Sequence, residues 1–345
     1  MPEYRYRGTQ FFPTVEIDHD VIPYLGGITE GEFYRDTEKC IHAWKEANRQ
    51  ITDYFGDLLQ PNTPSAPPLA YGHLVSLGLP LRQPEDAEPN VQPYVDSIED
   101  AIAFLEERRT IDFGDNPTCR HYIELNTAIG EAFPGIHVAP LTGFNVQGVI
   151  TSAVLLRGSD FFCDLYDDPE LAHRFLSLLN ESIINFKKFQ NRTNGFPEVT
   201  PFTAKLFDDF ASLVPPDMWP EFVVPYWKQY YEELSTAQTR FLHYENAHPA
   251  QLRCLKELGI THYQPSVSDA LTIENVRENT DVPFDWLLYA FRITEMTDAE
   301  IEAWADTAVG AEVEIIRTQF GKYAWSSGKM DRILAFYKAF EKYRA

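Results

Sequence analysis

Basic residues are scarce in this chain. Its 345 residues include 29 Lys and Arg against 52 Asp and Glu, a formal net charge of −23. The basic residues form no cluster, and such a surface repels phosphate backbones and anionic lipid headgroups. Nucleic-acid and membrane partners are thereby excluded. Cysteine is sparse as well: Cys40, Cys119, Cys163 and Cys254 stand far apart, with no CxxC pair. That rules out a tight disulfide framework and points to reduced thiols in a cytoplasmic protein. No apolar run approaches membrane-spanning length, and the N-terminal Met-Pro-Glu-Tyr-Arg lacks the apolar core of a signal peptide. A dinucleotide-binding glycine fingerprint is missing too.

Apolar residues are abundant. At 44% apolar, with 24 Phe, the chain buries a sizeable core and is not disordered. Residues 30–59 read as helix, with apolar side chains at helical spacing. Residues 60–93 carry Pro61, Pro64, Pro67, Pro68, Pro80, Pro84, Pro89 and Pro93, which exclude a long helix or a central strand. They read as a packed loop with one short strand near 72–79. From Ser97 the pattern becomes regular. The spacing predicts helices over 97–109, 119–133, 147–157, 168–191, 216–237, 249–258 and 273–279, and two closing helices over 297–320 and 328–344. Strands are predicted at 136–141, 203–207, 241–244, 260–264 and 286–290. Strand then helix with short turns implies parallel strands and right-handed crossovers. The expected fold is α/β, a (β/α)8 TIM barrel in one domain over 1–345, with a helical and Pro-rich segment over about 1–95.

In such barrels the chemistry sits where strands end. The residues at those ends are Gly143-Phe144, Asp208-Asp209, His243 to Glu245, and Gln264. In a strand, His243 and Glu245 share one face. Such a pair holds a metal or manages a proton, or is simply a capping His beside a loop acid. Phe144, Tyr244 and Tyr263 are candidates to wall a pocket for a flat apolar ligand. Asp208-Asp209 also reads as a helix cap and His248-Pro249 as a helix start. His19, between Asp18 and Asp20, reads as part of a solvated loop ahead of a residue at the barrel mouth.

Taken in order, these strand ends resemble the uroporphyrinogen decarboxylase superfamily. Pro140-Leu-Thr-Gly-Phe144 with Gly148 and Gly158 is similar to its P-L-x-G-F…G…G pattern, and Asp167-Asp-Pro-Glu170 to its D-D-P-E helix start. Leu206-Phe-Asp-Asp-Phe-Ala-Ser212 and Phe222-Val-Val-Pro-Tyr226 follow in the expected order, and Phe55-Gly-Asp-Leu-Leu59 resembles F-S-D-I-L. The resemblance implies one of two chemistries. Decarboxylases bind a polycarboxylate tetrapyrrole through an Arg-rich N-terminal motif. Here the matching stretch, residues 12–20, is acidic, and only Asp57 and Asp208 match the family's carboxylates. Methyltransferases move a methyl group between a corrinoid protein and a thiol, with zinc held by H-x-C and a later Cys. Here that motif reads His243-Tyr-Glu245, and residues 323–328 offer neither Cys nor His.

The resemblance therefore implies a methyltransferase that moves a methyl group between a corrinoid carrier, or a small methylated compound, and a thiol or similar acceptor. Its metal, zinc, would be held by His243 and Glu245, with Asp209 or His248 as third ligand. Tyr244 or Asp208 would orient the site, Asp57 would be catalytic, and Phe144 would bind the corrinoid. The expected partners are a small-molecule substrate, a corrinoid protein and a second copy in a homodimer. The alternative is a metal-free lyase acting on a carboxylated or tetrapyrrole-like substrate. There Asp57, Asp208 and Asp209 would handle protons and His243 would be the general acid. A third reading is a non-catalytic barrel that binds a tetrapyrrole or corrinoid.

Overall fold

The computed structural model describes residues 3–266, 268 and 270–345. Among the described residues seven strands are formed: β1 (Tyr4–Tyr6), β2 (Thr9–Ile17), β3 (Ala204–Phe207), β4 (Arg240–Tyr244), β5 (His262–Pro265), β6 (Asp285–Leu288) and β7 (Ile315–Phe320). One sheet has the order β1-β2-β7-β6 and the other β3-β4-β5. All pairings are parallel except the short β1–β2 hairpin. A parallel bridge between Tyr263 and Phe284 links the two sheets. Six parallel strands therefore form an arc in the order β2-β7-β6-β5-β4-β3, with helices filling the crossovers.

The expected eight-stranded closure is not present among the described residues. Where two further strands would lie, the chain is irregular. The predicted strand at 136–141 is irregular chain that runs into a turn at 140–143, and the one near 72–79 is the short helix Gly72–Ser76. The cause is proline. Pro61, Pro64, Pro67, Pro68 and Pro140 lack the N–H that a ladder needs. Single contacts stand in for the ladder. Gly148 N donates to Phe207 O at 2.6 Å, beyond the end of β3, and Asn145 N donates to Leu69 O at 2.8 Å. The buried side chain of Asn126 ties these segments together. Its Oδ1 accepts from Ala66 N at 2.8 Å, while its Nδ2 donates to Pro140 O at 3.0 Å and Thr142 O at 2.8 Å. Gly143 allows the close approach. Its φ of 83° lies in the left-handed region, and a Cβ there would meet Ala66 O at 2.5 Å.

Two strands were hidden in the sequence. The segment read as one helix over 297–320 is the helix Asp298–Gly310 followed by β7. β2 was not expected either, because Pro13 lies inside it. β1 pairs only with Thr9–Phe11, so Pro13 faces no partner on that side and no ladder bond is lost. Other boundaries shift as well. Residues 30–59 form two helices, Glu30–Arg35 and Thr37–Phe55, and 249–258 is a 3-10 turn, Pro249–Cys254. Two helix starts stand as read. Ser97 Oγ accepts from Asp100 N at 3.1 Å, and Asp168 Oδ1 from Leu171 N at 3.1 Å. Among the described residues no helix is long and apolar enough to cross a membrane.

Since Asn126 satisfies three backbone groups at about 1 kcal/mol each, Asn126→Leu is expected to lower unfolding free energy by about 3 kcal/mol. A denaturant titration reads this directly. An unchanged midpoint would show that the irregular segments hold without it.

Candidate active site

The site forms at the C-terminal ends of the parallel strands, and its parts come from alternation along each strand. In β4, Leu242 and Tyr244 are fully buried toward the helices, so His243 points into the space enclosed by the arc. Parallel register sets His243 beside Gln264 of β5. The imidazole Nδ1 lies 3.0 Å from Gln264 Oε1, and Gln264 Nε2 donates to Asp285 Oδ2 at 2.8 Å. Asp285 sits at the start of β6 and is 2% exposed. It also accepts from His262 Nε2 and lies 3.2 Å from the Nε of Arg317. Arg317, itself 3% exposed on β7, donates through Nη1 to Glu16 Oε2 at 2.6 Å. Gln319 Nε2 joins the same oxygen at 3.2 Å. A polar chain thus crosses β4, β5, β6, β7 and β2 in spatial order.

At the other end of this chain, His243 Nε2 lies 3.4 Å from Asp209 Oδ1. Asp209 follows β3 directly. Burial raises its pKa to about 7, with the charges of Glu245 and Asp208 adding to the effect and a backbone N–H from Glu245 opposing it. Burial also lowers the pKa of His243, against the pull of Glu245. Near neutrality, then, the carboxyl is poised to hold or release a proton beside an uncharged imidazole. Phe207 packs on His243 with ring centroids 5.5 Å apart and is 38% exposed, so the pair is reached from an open face.

The mouth beside β2 is acidic. Glu16, Asp18, His19, Asp20, Asn62 and Glu88 line a cavity of about 660 Å³. Burial and mutual repulsion raise the pKa of Asp18 to about 7, and Glu30 nearby behaves alike. His19 is among the residues that line the cavity.

Other expected site residues lie elsewhere. Tyr244 faces away from His243, packed against Trp219, Trp227 and Tyr263 at 5.4, 5.8 and 5.1 Å. The alternation that brings His243 inward necessarily sends Tyr244 outward. Phe144 is fully buried against Tyr122 and Phe186. Asp57 is exposed in the turn Gly56–Leu58. Asp208 is fully buried and accepts from Ile150 N, Thr151 N and Trp227 Nε1 at 3.2, 2.7 and 2.8 Å. It caps the helix Val149–Arg157 and anchors the end of β3, which fixes where Asp209 emerges. Gly148 leaves room for it, since a Cβ there would meet the Asp208 carboxyl at 2.4 Å. His248 Nδ1 accepts from Ala250 N at 3.1 Å, so it caps a turn rather than serving as a third ligand.

The donor set can be tested against zinc. Two ligands on a tetrahedral zinc at about 2.0–2.1 Å are about 3.3 Å apart, close to the 3.4 Å between His243 Nε2 and Asp209 Oδ1. Yet among the described residues no three His, Cys, Asp or Glu side chains are grouped so as to hold a metal. Glu245 stands close enough to influence both partners but does not complete a set of three. Among the described residues, the side chains present do not fit a catalytic zinc held by three protein ligands.

A family model for uroporphyrinogen decarboxylase (URO-D) matches residues 70–280, more than half of the chain. The chain belongs to the uroporphyrinogen decarboxylase family. No curated protein sequence matches it. Among solved structures it is similar to a methyltransferase from Methanosarcina mazei, with a TM-score of 0.65 and 15% identity, covering 98% of this chain and 95% of that one. At that identity the likeness is one of fold.

The sequence did not flag Glu16, Asp285 or Arg317. The available signal was the short β-branched run Val313-Glu-Ile-Ile316 after Gly310, which reads as a strand start once separated from the preceding helix.

Asp18 gives a pH test with a fixed sign. An acid with a raised folded pKa binds its proton more tightly folded than unfolded, so it destabilises progressively as pH rises from about 4 through 7. Asp18→Asn is expected to raise the melting temperature at pH 8, by roughly 2 °C or more, and to change little at pH 4. Equal shifts at both pH values would contradict the assignment.

Proposed function

We propose that this protein is a methyltransferase of its family, built on a (β/α)8 plan with two of the eight strand positions held by irregular chain. It moves a methyl group from a methylated donor, either a corrinoid carrier or a small compound, to a thiol-class acceptor. The observation that carries this reading is the meeting of His243 Nε2 with Asp209 at the open end of the strand arc. The fold likeness to a methyltransferase over nearly the whole chain supports it. So does the acidic mouth, where Glu16, Asp18, Asp20 and Glu88 would repel a polycarboxylate tetrapyrrole. The one buried cation near them, Arg317, is already paired with Glu16 and Asp285.

In this reading the acceptor S–H points at His243 Nε2. The imidazole takes the proton, and the ionised Asp209 steadies the imidazolium. The sulfur then attacks the methyl carbon, the S–C bond forms, and the donor leaves with the electrons of its own bond to that carbon. A corrinoid donor, carried by a partner, supplies an activated methyl group; the residues of this chain act on the acceptor. Since the donor set does not fit zinc, no step is routed through a metal. The lyase alternative is less supported, because Asp57 is exposed and Asp208 is locked under a helix, which leaves Asp209 alone of its three carboxylates.

Methyl transfer from methylcobalamin to a small thiol is the assay. His243→Ala is expected to lower kcat/KM by about 10²–10⁴-fold. Because His243 must be neutral and Asp209 ionised, activity should be lost as pH falls through about 7, and a chelator should leave it unchanged. Full activity in His243→Ala, or loss of activity on chelation that zinc restores, would overturn this mechanism.

A further inference from the structure

The polar chain behind His243 makes none of its contacts with the acceptor position, yet it decides which imidazole nitrogen is free. Asp285 Oδ2 is an acceptor, so the Gln264 group 2.8 Å away must be its amide NH2. That orientation is held from the far side, because Asp285 is clamped by Arg317 and His262. Arg317 in turn is held by Glu16 on β2. With its NH2 committed, Gln264 can offer only Oε1 to His243, and an amide oxygen only accepts. The proton on the neutral ring must therefore sit on Nδ1, 3.0 Å from that oxygen. Nε2 is left with its lone pair directed at Asp209 and at the open face.

We propose that Gln264 and Asp285 are positioning residues that fix the His243 tautomer, so that Nε2 is always the basic nitrogen. The inference rests on the reading of His243 as the base that activates the acceptor. The chain transmits orientation rather than protons, since an amide relays none. It also gives the buried pair a role that apolar side chains of the same size could not fill: Asp285, held by its contacts with His262 and Arg317, keeps Gln264 from turning over.

The test uses the full chain with 15N-labelled histidine and long-range 1H–15N correlation spectra, without substrate. The wild-type spectrum should show His243 protonated at Nδ1 and bare at Nε2, with assignment by comparison with His243→Ala. Gln264→Leu removes the acceptor and should shift protonation toward Nε2, with kcat lowered and KM little changed. Gln264→Glu, with its acid proton donated to Asp285 Oδ2 in place of the amide N–H, keeps an acceptor toward His243 and should restore both the Nδ1–H signal and a part of kcat. Unchanged near-UV circular dichroism would show that each variant is folded. If Gln264→Leu does not fold, the wild-type and Gln264→Glu spectra still decide the matter. A wild-type ring protonated at Nε2, or a Gln264→Leu ring unchanged from wild type, would overturn the proposal. The spectra need no methyl transfer, so an Nδ1–H ring in a protein without that activity would sink the functional reading and leave the tautomer assignment standing.

Discussion

The pairing of Asp285 with Arg317 inside the strand arc is the constraint on which the site depends. Both side chains are almost fully buried, 2% and 3% exposed by residue. Taking two such charges out of water costs several kcal/mol per ion unless each is otherwise satisfied. Here the further partners are spread over four strands, while the Nε of Arg317 lies 3.2 Å from Asp285 as an ion-pair contact without hydrogen-bond geometry. Asp285 takes His262 and Gln264 as further partners, and Arg317 takes Glu16. Each partner is thereby fixed in direction, and the last of them, Gln264, fixes His243. The interior of the arc stays polar as a result, and the imidazole is presented in one orientation to the mouth.

The residues that carry the family resemblance serve mainly to build the site. Gly148 makes room for Asp208. Asp208 caps the helix Val149–Arg157 and binds Trp227. Together these hold the end of β3 so that the next residue, Asp209, reaches His243. Gly143 lets residues 66–67 approach the following turn, which Asn126 then secures. Family membership is thus legible from positions that shape the backbone, whereas the chemistry is set by neighbours outside those motifs. One fold can accordingly carry different reactions.

Much of the α/β rhythm was legible. β3, β4 and β5 are short apolar runs bounded by turn residues, and Ser97 and Asp168 announce their helices by capping. The alternation along β4 sets His243 inward, and the same period sends Tyr244 toward the helices. β2 and β7 were obscured because their inward positions carry Glu16, Arg317 and Gln319 in place of apolar residues, and because Pro13 lies within β2. The link from His243 to Gln264 was beyond reach from one sequence. It depends on the register between β4 and β5, which neither strand encodes alone. The two irregular segments were misread for the opposite reason: 136–141 has the apolar content of a strand, but its backbone is satisfied by Asn126 and Asn194 side chains instead of a ladder.

The central claim is that Asp209 and His243 form a proton-handling pair near neutrality. The most direct measurement is a pH titration of the Asp209 carboxyl by infrared difference spectroscopy, wild type against Asp209→Asn. The account predicts a protonated carboxyl band that disappears with a midpoint near 7, together with an uncharged His243 at that pH. A carboxylate already ionised at pH 5 would contradict it, because the charge beside His243 would then not change across the pH range in which activity is expected to fall.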